Sequence, residues 1–529
     1  RHTRFKCDWS SDVCFRSGES KKYDLRVVQT EDGSEKSYDD TFWPPLVREF
    51  RRIIDRNRST LFFARSRRMC EHLTLRINAG EEHPVAYAHH GSLSKELRLE
   101  VETKLKSGDL KAIVATNSLE LGIDIGALDE VVLVQSPPSI AAGVQRVGRA
   151  GHQVGAVSRG TFFPTHDQDF VQSAVIARAI EEGDIEEVRP VENPLDVLAQ
   201  VLVSMAGTEV WKVDDLYNRI RTSRPYRDLR RDHFDLVLRM LAGRYAHTKV
   251  RELRPRISID AVDDTAAARK GALFDVFISG GTIPDRGYYH LRHEETGAMI
   301  GELDEEFVWE ASLGQTFTFG TQPWTIRRIT HNEVFVLPAK VKESQAPFWK
   351  GEVFNRNAHL SDKIAEFLEE ADTRLQDPDW RAELETRYRL NPRAAERVTE
   401  YLEQQKKETG APLPHLSHVL VEHVQSGPGG YPGVQLVLHT LWGGQLNRPF
   451  ALALDAAWEE RYGYRLEIFP GDDAIVVQLP HEASAVEIFS LVNEANLEPL
   501  LRRRLESSGY FGARFRENAG RALLLTRRR

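Results

Sequence analysis

Between residues 24 and 182 short apolar runs alternate with longer segments whose apolar residues recur every three or four positions. The runs are "TLFFA" (60–64), "VAYAH" (85–89), "KAIVAT" (111–116), "EVVLVQ" (130–135) and "GTFFP" (160–164). A short run that is apolar on both sides is a strand covered on both faces. The intervening segments supply the covers. Ser66 can cap a helix carrying Met69, Leu73 and Ile77 that closes at Gly80, and Ser94 one carrying Leu97, Val101 and Leu105 that ends at Gly108. Strands alternating with amphipathic helices predict a parallel sheet with helices on both sides.

At 529 residues the chain is too long for one core, and the pattern changes along it. Asn193 and Pro194 give a helix-start signal, and Leu198, Leu202, Leu216, Ile220, Phe234 and Leu238 fall on successive helical stripes closed by Gly243. Three short helices over 190–252 predict a winged-helix domain, with a plain helical connector as the other reading. Between about 270 and 340 the period is two, in "YYHLR", "AMIGEL", "FVWEA", "QTFTFG", "WTIRRIT" and "EVFVLP", which predicts a small antiparallel sheet or β barrel as a domain over 253–345. Residues 346–529 return to charged helix and then mix strands with helices, an α+β region. The fold class is therefore multidomain, α/β plus α+β. Residues 1–20 share no period with the rest of the chain and resemble translated sequencing adapter, so they are set apart as a non-native leader, and the chain is expected to be an internal fragment.

No stretch approaches the ~18 apolar residues a membrane span needs, which predicts a cytoplasmic protein without a membrane partner. Cys7, Cys14 and Cys70 make neither a disulfide framework nor a zinc set, and "HEET" at His293 lacks a second histidine, so no metal held by protein ligands alone is expected. A net charge of −8 argues against general coating of a polyanion, yet Arg51, Arg52, Arg56, Arg58, Arg65, Arg67 and Arg68 face only Asp55 in their own stretch. That stretch is either a solvated helix face or a local basic groove.

Four segments stand in fixed order on the α/β region: "LFFARSRR" (61–68), "AHHGSLS" (88–94), "ATNSLELGIDIG" (115–126) and "QRVGRAGH" (145–152). Each is read as following the carboxyl end of a strand or opening the next helix, where open α/β sheets bind ligands. Ser66, Gly91, Ser92 and Thr116 would offer hydroxyls and bare backbone to phosphates. Asp124 could accept from a ribose hydroxyl, and Arg146 and Arg149 are planar donors for phosphate oxygens. Singly these residues have plain explanations: Ser66 and Ser94 as helix caps, His89 and His90 as strand-end packing, Asp124 as a turn cap, Gly148 and Gly151 as loop punctuation. Their joint order is what points to nucleotide and nucleic acid. The residues contain no G-x-x-x-x-G-K-[ST] loop and no Gly-Lys pair at all.

The four segments resemble motifs IV, IVa, V and VI of superfamily 2 helicases, and residues 24–182 resemble their second RecA-like domain. The wider resemblance is to the large helicase-related (Lhr) family, through "LELGIDIG", "QRVGRAGHQVGAVSRGTFFP", "ENPLDVLAQVLV", "GTIPDRGYY", "GELDEEFVWE" and "PFWKGE". It implies an ATP-dependent helicase that moves along single-stranded DNA and unwinds DNA or DNA:RNA duplexes, with ATP and Mg2+ bound mainly by a first RecA-like domain. Arg149 then matches the arginine finger, and Arg146 and Gln145 its accessory positions. Gly122, Asp124 and His152 match the nucleotide side, with His152 standing where many members have a second arginine. Ser66, Arg67, His90, Gly91, Thr116 and Asn117 match positions that grip nucleic acid. Trp349 in "APFWKGE" either stacks a base or closes the barrel core. Two other readings stay open: a non-enzymatic nucleic-acid-binding protein with a degenerate RecA-like domain, and a Ski2-like RNA helicase.

Overall fold

The computed structural model describes residues 21–30, 42–90, 95–120, 128–151, 156–244, 254–282, 288–304, 308, 311–319, 322–330, 333–339, 355–425, 434–479, 484–506 and 509–524. The chain divides into two compact units, Arg1–Glu187 with Phe354–Leu497, and Val188–Val353 with Glu498–Arg529.

In the first unit six strands, β1 (Tyr23–Val27), β2 (Thr60–Ala64), β3 (Ala86–His89), β4 (Ala112–Ala115), β5 (Glu130–Val134) and β6 (Ser158–Phe163), form one parallel sheet in the order β1-β6-β5-β2-β4-β3. Every residue of β2, β4 and β5 is buried, as their unbroken apolar runs require. Helices α1 (Trp43–Arg56), α2 (Arg67–Asn78), α3 (Lys95–Ser107), α4 (Ile140–Val147) and α5 (Asp167–Glu182) accompany it. Helix α1 begins on a Pro pair and buries Trp43, Leu46, Phe50, Ile53 and Ile54 along one stripe. Gly80, Gly108 and Gly183 follow their helices with φ between 70° and 84°, the left-handed exit that glycine permits.

The second unit contains α6 (Leu195–Thr208), α7 (Val213–Arg221) and α8 (Arg231–Leu241), with β7 (Trp211–Lys212), β8 (Ile257–Asp260) and β9 (Thr265–Ala268) paired as β7-β9-β8. Leu198, Leu202, Leu216, Phe234, Leu238, Ile257 and Ala266 share one core, the three-helix and hairpin-wing arrangement of a winged helix. The start of α6 differs from expectation. Pro194 holds the N-cap position, Asn193 has φ 48°, and the Asn193 side-chain oxygen has no hydrogen-bond partner. Helix α9 (Ala272–Ser279) then leads to a five-stranded sheet of β10 (Tyr288–His293), β11 (Met299–Asp304), β12 (Thr316–Phe319), β13 (Gln322–Ile329) and β14 (Glu333–Pro338), in the order β11-β10-β14-β13-β12. Three of its pairings are antiparallel as predicted, but β10 and β14 run parallel, because three intervening strands return the chain to the same direction. Of "FVWEA" only Val308, in a helical position, and Ala311 fall among the described residues.

Residues 355–497 belong again to the first unit. Helices α10 (Ala358–Arg374), α11 (Trp380–Thr386) and α12 (Pro392–Thr409) precede a four-stranded antiparallel sheet, β15 (Leu420–Gln425), β16 (Val434–His439), β18 (Ile475–Leu479) and β17 (Glu467–Pro470) in that order, with α13 (Gly444–Tyr462) beside it. Leu360, Ile364, Phe367, Trp380, Tyr388 and Val398 join Leu25, Phe170, Val171 and Ile176 in a single core, so these helices are built on the parallel sheet. Backbone bonds complete the join: the Val27 amide donates to the Arg389 carbonyl at 2.8 Å and the Asn391 amide to the Val27 carbonyl at 2.9 Å. The chain at Leu390 thus lies parallel to β1 on the outer edge of the sheet. Among the described residues no helix is long and apolar enough to cross a membrane.

Candidate nucleotide and nucleic-acid face

Strands β2, β4 and β3 are neighbours, so their carboxyl ends bring Ser66, Thr116, Asn117 and His90 to one edge of the sheet. Ser66 is extended (φ −141°), and its Oγ accepts from the Met69 amide at 3.1 Å, an N-cap that leaves the residue exposed at the mouth of α2. Thr116 is buried and receives its backbone bond from the neighbouring strand end, its amide donating to the His89 carbonyl at 3.3 Å. Asn117 is exposed on the 3-10 turn after β4.

The two histidines are packed into the same edge. His89 lies 2.9 Å from Ser118 Oγ through Nδ1 and 3.1 Å from Glu102 through Nε2. His90 is 5% exposed, with Nε2 2.6 Å from Glu71 and Nδ1 without a hydrogen-bond partner. His90 is therefore a buried part of that edge and not an exposed one. Gly91, Gly122, Asp124, His152 and Trp349, and the side chain of Arg67, lie outside the described residues.

The fourth segment differs from its predicted setting. Gln145 and Arg146 lie in the last turns of α4 and Gly148 is its C-cap, so "QRVGRAGH" closes a helix instead of opening one. Helices of a parallel α/β fold carry the chain back to the amino edge of the sheet, and Ala150 there bridges Leu128 while the Gly151 amide donates to the Leu128 carbonyl at 3.2 Å. Gly151 has φ 66°, and a Cβ there would stand 2.7 Å from the Val157 carbonyl oxygen. This position requires glycine on both grounds.

Arg146 and Arg149 converge on Glu120, a residue that the motif pattern does not single out. Arg146 is buried, donates from Nε to Glu120 Oε2 at 2.9 Å, pairs through Nη2 at 2.9 Å, and covers the Phe63 ring at 5.1 Å. Arg149 is half-buried, and its Nε and Nη2 donate to the Glu120 backbone carbonyl at 3.2 and 2.6 Å. Burial pushes both guanidinium groups below their ordinary value, and the Glu120 charge opposes that shift. Arg146, expected beside Arg149 as a phosphate-facing donor, is thus committed to an internal ion pair, whereas Gln145 is exposed. A glutamate inside the third segment, with two arginines three residues apart in the fourth, is the signal that could have suggested this hub.

The basic stretch does not present one face. Arg51 donates to the Ile77 carbonyl at 2.8 Å and to that of Ala79 at the end of α2, Arg52 pairs with Glu49 at 3.1 Å, and Arg56 pairs with Glu130 at 2.8 Å. Arg58, Arg65 and Arg68 are exposed.

A parallel sheet of this order, with its motifs on one edge and at the end of α4 and a winged helix in the next unit, defines the carboxyl-terminal part of a RecA-type helicase motor. Family profiles agree: that of the helicase conserved C-terminal domain matches residues 46–153, that of the large helicase-related protein winged helix domain 178–346, and the DEAD/H associated profile 413–529. The chain belongs to the large helicase-related (Lhr) family. It is 37% identical to the Lhr helicase of Mycolicibacterium smegmatis, over 96% of this chain and 36% of that protein. To the Lhr helicase/uracil glycosylase of Escherichia coli it is 36% identical, over 94% of this chain and 34% of that protein. The solved structure of Mycobacterium smegmatis helicase Lhr bound to ssDNA and AMP-PNP resembles it with a TM-score of 0.77 at 35% identity, covering 96% of this chain and 61% of that one. The chain thus spans about a third of the length of these two curated relatives.

Proposed function

We propose that this chain is the part of an ATP-dependent DNA helicase that contributes the second RecA-like domain, with its arginine finger and nucleic-acid grip, to a motor whose phosphate cradle lies in another domain. The division into 24–182, 190–252, 253–345 and 346–529, and a cytoplasmic setting, belong to the same reading. The observation that carries it is the Glu120 hub. Arg146 is locked inside it, and Arg149 is the half-buried guanidinium that donates to a neutral carbonyl. Exchanging the neutral carbonyl for a triphosphate gives the guanidinium an anionic partner that its planar fork can bind through two parallel bonds, so the residue fits a phosphate ligand. ATP with Mg2+, when bound, supplies the reactive phosphoanhydride. Arg149 would offset the charge that develops on the transferred phosphoryl group, and Glu120 and Arg146 would hold the loop that presents it. Ser66, Thr116 and Asn117 would hold the backbone of a DNA single strand on the edge formed by β2, β4 and β3, with His90 and Glu71 supporting the β3 end.

The test supplies a first RecA-like domain. This chain alone should hydrolyse no ATP, and fusion to a first RecA-like domain carrying a P-loop should give DNA-stimulated hydrolysis. In that fusion Arg149→Ala should lower kcat by about 10³ or more, the range of an arginine finger. Strong DNA-stimulated hydrolysis by the chain without that domain overturns the proposal.

A further inference from the structure

The turn joining α7 to α8 reads "RIRTSRPYRDLR" over residues 219–230, five arginines against the single acid Asp228. Arg230 is paired with Asp232 at 2.6 Å. Arg219, Arg221, Arg224 and Arg227 are all exposed, and none forms an ion pair among the described residues. A basic pair at a helix carboxyl terminus is explained by the helix dipole, which accounts for Arg219 and Arg221. It does not account for Arg224 and Arg227, which lie beyond the helix.

The turn is held rigid from beneath. Tyr226 and Leu229 are buried in the winged-helix core, and Tyr217 donates its hydroxyl to the Leu229 carbonyl at 2.8 Å. Tyr226 reaches the Pro194 carbonyl at 3.2 Å, and the Asn193 amide bonds the Pro225 carbonyl at 2.8 Å. Thr222 and Ser223 donate their hydroxyls to the carbonyls of Arg219 and Ile220 at 2.7 and 2.8 Å, and Arg221 Nε bonds the Arg227 carbonyl at 3.0 Å. A fixed backbone carrying four long cations suits a dense row of negative charges. In a protein of net charge −8 such a patch also steers a polyanion toward this surface.

The chemistry of the turn separates duplex from single strand. Single strands are held by exposed aromatic rings that stack bases as well as by charge. Both aromatic rings here are occupied: Tyr226 is buried, and the Tyr217 ring lies under Arg221 and Arg231 at 5.4 and 5.2 Å. What remains is phosphate recognition without stacking, which matches a duplex carrying one charge per ~1.7 Å of axis.

We propose that the Arg219–Arg227 turn is a second nucleic-acid contact, which holds the phosphate backbone of a duplex regardless of sequence. It rests on the nucleic-acid reading above and adds a surface to it. The test measures binding of this 529-residue chain to a blunt duplex and to an oligo-dT strand by fluorescence anisotropy across a salt titration. The variants replace Arg219, Arg221, Arg224 and Arg227 together by Ala, and separately by Lys. With the alanine variant the duplex salt slope should fall by roughly 3 to 4, about 0.9 for each phosphate no longer neutralised. The lysine variant should keep it, and dT binding and melting temperature should be unchanged. An unaltered duplex slope, or an equal fall for dT, overturns the proposal. So does a wild type that binds dT and polyglutamate but not duplex, which assigns the turn to an acidic protein. A wild type that binds neither dT nor duplex refutes the nucleic-acid reading itself.

Discussion

If the Glu120 hub is built as described, replacing Arg146 must cost far more stability than replacing Arg149, although both belong to one motif. The Arg146 side chain is 8% exposed and that of Glu120 15%, and they share two contacts of 2.9 Å. Replacing Arg146 by Met keeps volume over the Phe63 ring but leaves the carboxylate without that partner in a poorly solvated place. Breaking a buried pair from one side costs about 3 to 5 kcal/mol, and the lower figure suits a carboxylate that keeps some contact with water. Arg149→Ala removes bonds to a backbone carbonyl from a half-buried side chain, worth about 1 kcal/mol. In a domain of this size 1 kcal/mol moves the melting temperature by about 2–4 °C, so the expected losses are about 6–12 °C and about 2–4 °C. Circular dichroism melts of the chain read this directly, with the two units followed as separate transitions. A second substitution, Glu120→Leu, should recover most of what Arg146→Met loses, since the burdened carboxylate is then gone. An Arg146→Met protein melting within about 2 °C of wild type would show that the hub does not hold the loop, and the division of roles between the arginines would fall with it.

Gly151→Ala should destabilise the first unit by about 2–3 kcal/mol, summing a left-handed φ of 66° and a Cβ 2.7 Å from the Val157 carbonyl, and a thermal melt checks it. Arg356 is 2% exposed and joins Asp473 at 2.6 Å, Ser361 at 3.0 Å and the Asp472 carbonyl at 3.1 Å, so Arg356→Ala should lower stability in urea by about 3–5 kcal/mol. Burial alone would raise the Glu130 carboxyl, but hydrogen bonds from Arg56, Asn57 and Thr161 outweigh it and hold the group below its ordinary value near 4.5. A depressed carboxylate stabilises the fold above that value and loses the contribution as pH falls through the folded one. Wild type should therefore exceed Glu130→Gln in urea unfolding at pH 6, and the gap should close in acid. Asn391→Ala removes the acceptor of the Gln29 amide at 3.1 Å, and hydrogen exchange at Gln29 should quicken while exchange in β5 stays slow.

The parallel sheet was legible because its inner strands are buried on both faces, and burial of that kind writes an unbroken apolar run that no neighbour can disguise. Strand β1 carried no such mark: "YDLRV" alternates, since it lies at an edge. Its outer partner is Leu390, more than three hundred positions away, and nothing local in "YDLRV" announces that pairing. The site divides along the same line. Ser66 and Thr116 could be placed from the sequence because they follow strand ends, a position that periodicity locates. Arg146 and Arg149 were found as residue types, but their settings depend on Glu120 and on the return of α4 to the amino edge, which are facts of packing. The seam at Val27 also bears on how such a motor would work. Helices α10 to α12 share one core with the parallel sheet and extend its edge through backbone bonds, so they must move with it as one body. Any ATP-driven displacement of this RecA-like domain would therefore carry residues 355–409 with it, and weakening Asn391 should loosen that coupling before it unfolds either part.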